Sequence, residues 1–454
     1  MQRMKCCLSF SLILALLLTT TVSLAQGIVF ETGTWADAVK KARKQKKLLF
    51  LHFDTRACDG CADVASMAFN SPLTREKFGQ NFISYRIDGT TGIGKELVDL
   101  YEVECLPSSI YLDTDENPLA RFCGSTSFDR AYLEKAEEAL TNQRERPMKS
   151  IIDAYGKGDR SSALMRQYIV RRRQMGLTTN DLLNEYVRAL PADSLQSAAL
   201  LRFIFEQGPV VGSTADSVFQ SNRFRYDSLY RAVGLQNAIN NNNLIVNNSL
   251  KKAIKEKNTR LALRTASFRR ATYGSDIKNG RQNADWVYLR YLRGVKDTLA
   301  YLQRASSYYD EYLMNAKVDS IQNLDNLDNQ RRMRGVMPPP TSQNSIPGGG
   351  VAFTPFPNTQ RFVSALNTGA WDFYQMTRDT TYLKKALTWS KRSLEFREEP
   401  SLMDTYAHLL YRLGRKEEAL DWQEKAVKAE QARTGSPLAA SLETSLRKMK
   451  EGTL

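Results

Sequence analysis

Cysteine is scarce and unevenly placed. The 454 residues hold six, and none follows Cys123. A disulfide-stapled fold is thereby excluded for the last three quarters of the chain, which must hold together by packing. Histidine is scarcer still, with only His52 and His408. A two-histidine metal site finds little material here. No glycine-rich phosphate loop occurs, and no Ser/His/acid set is legible. No flavin or nicotinamide site is legible either, so no cofactor is expected. Paired carboxylates such as Glu417 and Glu418 read as neighbouring charges on a helix surface, not as a hydrolase pair. Long apolar runs are missing too, except for LSFSLILALLLTT near the N-terminus.

That run follows Arg3 and Lys5 and ends in SLAQ. Ser23 and Ala25 are small residues at the positions a signal peptidase prefers. Residues 1–25 therefore read as a signal peptide cleaved before Gln26, with an uncleaved anchor as the alternative. Cys6 and Cys7 would leave with it, and the exported chain would keep Cys58, Cys61, Cys105 and Cys123. At 42% hydrophobic, the chain can bury two or three cores. The formal charge of +15 points to contact with anionic lipid or glycan. No nucleic-acid recognition module accompanies it. Basic runs such as KKARKQKK read as the wet face of a helix.

Residues 34–47, TWADAVKKARKQKK, have helical periodicity. Thr34 is placed to cap the helix, with Asp37 at the capping-box position. LLFLHF follows, an apolar run that suits a strand covered on both faces. Then come ACDGC and the helix-like ADVASMAF. The spacing would set Cys58 at the first turn of a helix, where unpaired N–H groups and the dipole favour a thiolate. Cys61 would lie one turn on. NFISYRID reads as a second strand and IGKELVDLYEV as a helix. Pro107 precedes the strand SSIYLD, and a turn at Asp115–Asn117 leads back through LARFC as a hairpin. FDRAYLEKAEEAL closes the region as a helix, with Ser127 as its cap.

On these residues the stretch from 30 to about 140 resembles the thioredoxin-like fold. The likeness rests on Trp35, Ala38, Ala42, Lys47, the Cys58/Cys61 pair, Asp88, Leu106–Pro107 and the hairpin from Asp113 to Gly124. The resemblance implies that Cys58 attacks a disulfide, that Cys61 resolves it, and that Pro107 and Leu106 shape the groove for a partner chain. It also implies departures. Ala57 stands where an aromatic residue is usual, and His52 where many members carry a buried acid. His52 can be read as a proton shuttle or as a neutral core residue. Cys105 and Cys123 admit four readings: a second disulfide, a resolving partner for the first pair, half of a four-cysteine zinc site, or buried free thiols.

After residue 145 the chain turns to helix-length segments with charged faces. The aromatics Trp286, Tyr288, Tyr291 and Tyr301 read as inter-helix packing in preference to a ligand platform. NAINNNNLIVNN would either cross a loop or sit in a helix fixed by its neighbours. Residues 331–360 are rich in proline, glycine and serine and read as a flexible connection. Beyond them Ala386 and Ala419 lie 33 apart, as do Ser393 and Ala426, with Gly414 ending a helix between. Small residues at these places permit close helix approach, and Tyr406 and Leu410 fill the gaps. This resembles the tetratricopeptide repeat.

The expected architecture is an α/β thioredoxin-like domain (26–144) followed by an all-α helical region. The latter comprises degenerate repeats (145–330), the connection (331–360) and tetratricopeptide-like helices (361–454). The whole is similar to exported thioredoxin-family proteins of Gram-negative bacteria of the Bacteroidota type, which implies the periplasm or cell envelope. The expected function is thiol–disulfide exchange on exported protein clients, with Cys58, Cys61, Pro107 and His52 as the catalytic set. Electrons would come from a membrane donor, and the helical repeats would bind protein. The alternative is a non-enzymatic helical-repeat binding or scaffold protein with a redox-inactive thioredoxin-like domain.

Overall fold

The computed structural model describes residues 27–55, 59–145, 148–334, 356–432 and 438–454. The chain divides into two units, Met1–Pro147 and Met148–Leu454. The first is mixed α/β and the second all-helical. Among the described residues, no helix is long and apolar enough to cross a membrane.

The α/β unit is organised by one strand. Leu48–Asp54 (β1) is buried along nearly its whole length, as its continuous apolar run requires. It pairs in parallel with Phe82–Asp88 (β2) and antiparallel with Ser108–Leu112 (β3). Pro118–Cys123 (β4) completes the sheet in the order β2-β1-β3-β4. Strand alternation then builds two different faces. Leu49, Leu51 and Phe53 pack with Trp35, Ala38, Val39 and Ala42 of helix Trp35–Gln45 (α1) and with Leu97 of Gly92–Leu100 (α4). Thr34 and Asp37 cap α1 reciprocally, two otherwise orphaned donors being satisfied at once.

Phe50 and His52 point the other way, into an aromatic layer. Phe50 lies 4.7 Å from Phe78 and 5.1 Å from Tyr111, and His52 lies 5.0 Å from Phe69. Phe69 and Phe78 come from the helices Asp59–Phe69 (α2) and Pro72–Asn81 (α3) that cross from β1 to β2. Helix Asp129–Glu145 (α5) closes this face, and Tyr111 donates a 2.9 Å hydrogen bond to the Tyr132 carbonyl. The β3–β4 turn is held by Asp113, whose Oδ1 accepts from the backbone of Asp115 and Asn117.

The helical unit opens with short helices from Met148–Gly156 (α6) to Tyr226–Val233 (α11). Between them lie Ser162–Gln174 (α7), Asn180–Ala189 (α8), Ala198–Gln207 (α9) and Thr214–Ser221 (α10). They share a core that includes Met165, Ile169, Phe205 and Phe219. Leu235–Lys255 (α12) follows and contains the asparagine-rich stretch. Asparagine is a poor helix former because its amide competes for backbone partners. Here the amides are engaged by neighbouring elements. Tyr230 donates to Asn242, Arg269 to Asn243 and Arg290 to Asn247, while Asn248 donates to the Gly208 carbonyl.

From α12 onward one core runs through Val246, Leu292, Tyr309, Phe373, Trp389, Leu410 and Met449. It is built from Thr259–Ala271 (α13), Ile277–Gly294 (α14), Thr298–Tyr309 (α15), Val318–Met333 (α16) and Pro357–Met376 (α17). Thr380–Phe396 (α18), Pro400–Arg412 (α19), Lys416–Gln431 (α20) and Leu438–Glu451 (α21) complete it. Helices α13/α14, α17/α18 and α19/α20 pack as neighbouring pairs. Ala386, Ser393, Ala419 and Ala426 are all fully buried between helices. Gly369 serves the same end, since a Cβ there would lie 2.3 Å from the Tyr309 ring.

A turn of fixed chemistry recurs along this array. A basic residue, an Asn or Asp cap and a threonine follow one another at 257–259, 296–298 and 378–380. Asn258, Asp297 and Asp379 each accept from a backbone N–H of the helix they open. Lys257 and Lys296 take left-handed conformations, with φ of 51° and 61°. After Tyr309 the helix widens into one π turn, Asp310–Met314. Asp310 there accepts from Trp389 Nε1 at 2.9 Å and pairs with Lys385.

Candidate functional site

Strand register gathers the residues that the sequence singled out. On β1, His52 stands beside Arg86 of β2 and Ser109 of β3. Its Nδ1 lies 2.8 Å from Ser109 Oγ. Its Nε2 lies 3.3 Å from Asp54 Oδ1, without the alignment of a good hydrogen bond. Asp54 in turn receives both a guanidinium nitrogen of Arg86 at 3.0 Å and Arg86 Nε. The result is a polar chain of Ser109, His52, Asp54 and Arg86 through the middle of a sheet.

Burial decides what this chain can do. His52 and Ser109 are both 0% exposed. Burial lowers the His52 pKa below its ordinary value, and the Asp54 carboxylate only partly opposes that. The imidazole is therefore neutral near pH 7. Burial pushes Asp54 upward, but the facing His52 and the Arg86 guanidinium outweigh it and bring its pKa down to about 2. A serine, a histidine and an acid are thus brought together although Ser109 stands 57 residues from His52 in sequence. No substrate reaches them, because neither Ser109 nor His52 has a face in solvent. The signal that joins them is the pairing of β1 with β3, which residue spacing does not display.

Leu106 and Pro107 lead into β3 through a cis peptide bond. Pro107 is buried and Leu106 half-buried. A Cβ on Gly89 would lie 2.8 Å from Leu106 Cδ2, so the two segments meet without a gap. Cys105 and Cys123 are joined in a disulfide, with their Cα atoms 5.8 Å apart. It ties the entry of β3 to the end of β4, where Ser108 and Cys123 are already register partners. Cys58 and the side chain of Cys61 lie outside the described residues, as do residues 1–26 with the expected signal peptide and residues 335–355 of the expected connection. Residues 331–333 end α16, and Pro357 opens α17.

The helical unit carries a different kind of site. A groove of about 320 Å³ lies on α14, α15 and the π turn. Leu289 and Tyr308 line it together with Asp285, Arg304, Glu311 and Tyr312. The Tyr312 hydroxyl donates to Asp285 at 2.8 Å, and the Arg304 guanidinium stands 4.8 Å over the Tyr288 ring. Trp286 and Tyr308 lie 5.7 Å apart beside it. Of the aromatics noted in the sequence, Tyr291 and Tyr301 are core residues, while Trp286 and Tyr288 are half-buried. His408 is buried between Trp371 and Tyr374.

No family model matches the chain. No curated protein matches it either. Among solved structures, a thioredoxin from Thermus thermophilus is 17% identical over 24% of this chain and 86% of its own, with a TM-score of 0.23. A protein described as a putative disulphide-isomerase from Bacteroides thetaiotaomicron is 24% identical over 27% of this chain and 98% of its own, also at 0.23. A structure described as DsbH Oxidoreductase is 20% identical over 25% of this chain and 85% of its own, at 0.21.

These findings correct several expectations. The assignment to an exported thioredoxin-like family of the Bacteroidota type, with tetratricopeptide repeats, a signal and a periplasmic address, is not sustained, since no family model or curated relative matches. Thiol–disulfide oxidoreductase activity at a redox-active centre is not sustained either. Among the described residues the one disulfide links cysteines 18 apart, and no group of three or more His, Cys, Asp or Glu residues forms a metal-type cluster. What stands is an α/β unit followed by a long all-helical unit.

Proposed function

We propose that the chain is a non-enzymatic helical-repeat binding or scaffold protein whose α/β unit is a thioredoxin-like fold without redox turnover. The observation that carries this reading is the helical unit itself. One continuous core from Val210 to Met449 supports a surface groove of half-exposed aromatic and charged side chains. A rigid array of this kind spends its stability on holding a surface in place. The strand order β2-β1-β3-β4, with one parallel and two antiparallel pairings, supports the thioredoxin-like arrangement. Buried small residues 33 apart support a helical repeat. The partner is a protein segment that sets a polar or aromatic side chain against Tyr308 and Arg304. The Cys105–Cys123 disulfide supports a location outside the cytoplasm.

Two measurements on the full chain test the reading. Reduction of a disulfide-bonded model protein in the presence of dithiothreitol should proceed no faster with the chain than without it. Acceleration that disappears in the Cys58→Ser variant would overturn the proposal. A photoreactive side chain at Gln303, on the groove, should crosslink a discrete protein partner in the cell, and one at Asn279 should not. Equal labelling from both positions would remove the groove from the argument.

A further inference from the structure

The positive charge of the chain is concentrated in one stretch. Between residues 251 and 304 stand fourteen Lys and Arg against four Asp and Glu. That stretch spans the end of α12, all of α13 and α14, and the start of α15. Its few acids are engaged elsewhere. Glu256 pairs with Lys252 at 2.7 Å, Asp276 and Asp297 cap helices, and Asp285 receives Tyr312. Of the basic side chains, Lys252 is taken up by Glu256 and Arg293 by Asp372, and the stretch keeps a large positive excess.

Local geometry places several of them on one edge. The turn that ends α12 and the turn that ends α14 touch, because a Cβ on Gly294 would lie 2.5 Å from Ile254. Thr259, at the start of α13, also meets the Tyr291 hydroxyl at 2.9 Å. Lys257 and Lys296 occupy equivalent places in these two adjacent turns. Arg260 and Arg264 continue from the first turn along α13, one helical turn apart, with the Arg264 guanidinium laid over Gly212. All four are exposed, and none makes an ion pair among the described residues. Large apolar side chains stand among the charges: Leu263 is 47% exposed and Leu299 is 64% exposed.

We propose that this edge is a docking surface for an anionic phospholipid bilayer. The basic residues would sit at the headgroups, and Leu263 and Leu299 would enter the interface. Charge complementarity requires an anionic partner, and the form of the edge selects among such partners. It is a run of turns and one exposed helix face, and the groove described above includes none of its residues. An acidic peptide needs walls to exclude water around it, whereas a lipid surface does not. Leucines between basic positions have no role with a soluble polyanion, but they add membrane affinity.

The test uses the full chain and vesicles of phosphatidylglycerol and phosphatidylethanolamine, with phosphatidylcholine vesicles as the neutral comparison. Sedimentation at 0.1 M salt should show binding to the anionic vesicles only, lost at 0.5 M salt. Each basic residue near an anionic surface contributes about fivefold in partition, so K257Q/R260Q/R264Q/K296Q should lose on the order of a hundredfold or more. K40Q/K44Q, on α1 of the other unit, should bind like the wild type. Circular dichroism melts confirm that each variant is folded. L299W should shift its added fluorescence to the blue with anionic vesicles alone. Equal binding to phosphatidylcholine, equal loss in K40Q/K44Q, or no blue shift would each overturn the proposal. So would capture by polyglutamate in the absence of vesicle binding.

Discussion

Replacing Gly369 by alanine sets two effects of opposite sign against each other. Gly369 lies inside α17, and in an exposed helix the change to alanine stabilises by about 1 kcal/mol. At this position the new Cβ would stand 2.3 Å from Tyr309 Cζ and 2.7 Å from both Cε atoms. The Tyr309 ring cannot retreat. It is 1% exposed and packs 4.7 Å from Trp389, which is itself fully buried. Overpacking of a rigid core costs about 1–3 kcal/mol, and a contact this short against an aromatic ring belongs near the upper end. The net expectation is a loss of about 1–2 kcal/mol. For a unit of this size that lowers the melting temperature by roughly 2–3 °C. Differential scanning calorimetry of the full chain reads it as a shift of the helical unit's transition. The cause is isolated by repeating the change in a Tyr309→Leu background, where the ring is gone and alanine should be neutral or stabilising. A higher melting temperature for G369A in the wild-type background, or the same loss in both backgrounds, would refute the reasoning.

Removing the disulfide with C105A/C123A should destabilise the α/β unit by about 3 kcal/mol. A loop of this length loses that much restriction of the unfolded chain. Urea unfolding of the variant beside the wild type measures it, and an unchanged midpoint would show that the β3–β4 hairpin alone supplies the restraint. Acid should destabilise the same unit in two steps. Because burial holds the folded pKa of His52 below 6.5, stability is complete above that pH and is lost as pH falls through it toward the folded value. Because Asp54 sits near 2 when folded and near 4 when unfolded, a second loss falls between about pH 4 and pH 2. A urea midpoint that stays flat from pH 8 to pH 5 would contradict the neutral, sealed state of His52.

Local signals were legible wherever one stretch of chain determines its own structure. The capping box of Thr34 and Asp37, the apolar run of β1 and the turn around Asp115–Asn117 each carry their instruction within a few residues. The close approach of helices at Ala386, Ala419 and Ala426 also shows in residue size alone. What could not be read depends on pairing between distant segments. The asparagine-rich stretch left loop and helix open because the deciding partners, Tyr230, Arg269 and Arg290, lie on other elements. His52 is the sharper case. Its place on β1 is set by alternation, but its role is set by Ser109, Asp54 and Arg86 and by the aromatic layer above it. The same imidazole in an open site would exchange protons near neutral pH. Enclosed by Phe50 and Phe69 it stays neutral and serves the packing of the sheet. A histidine at a suggestive distance from a cysteine pair is therefore no evidence of acid–base work until its solvent path is known.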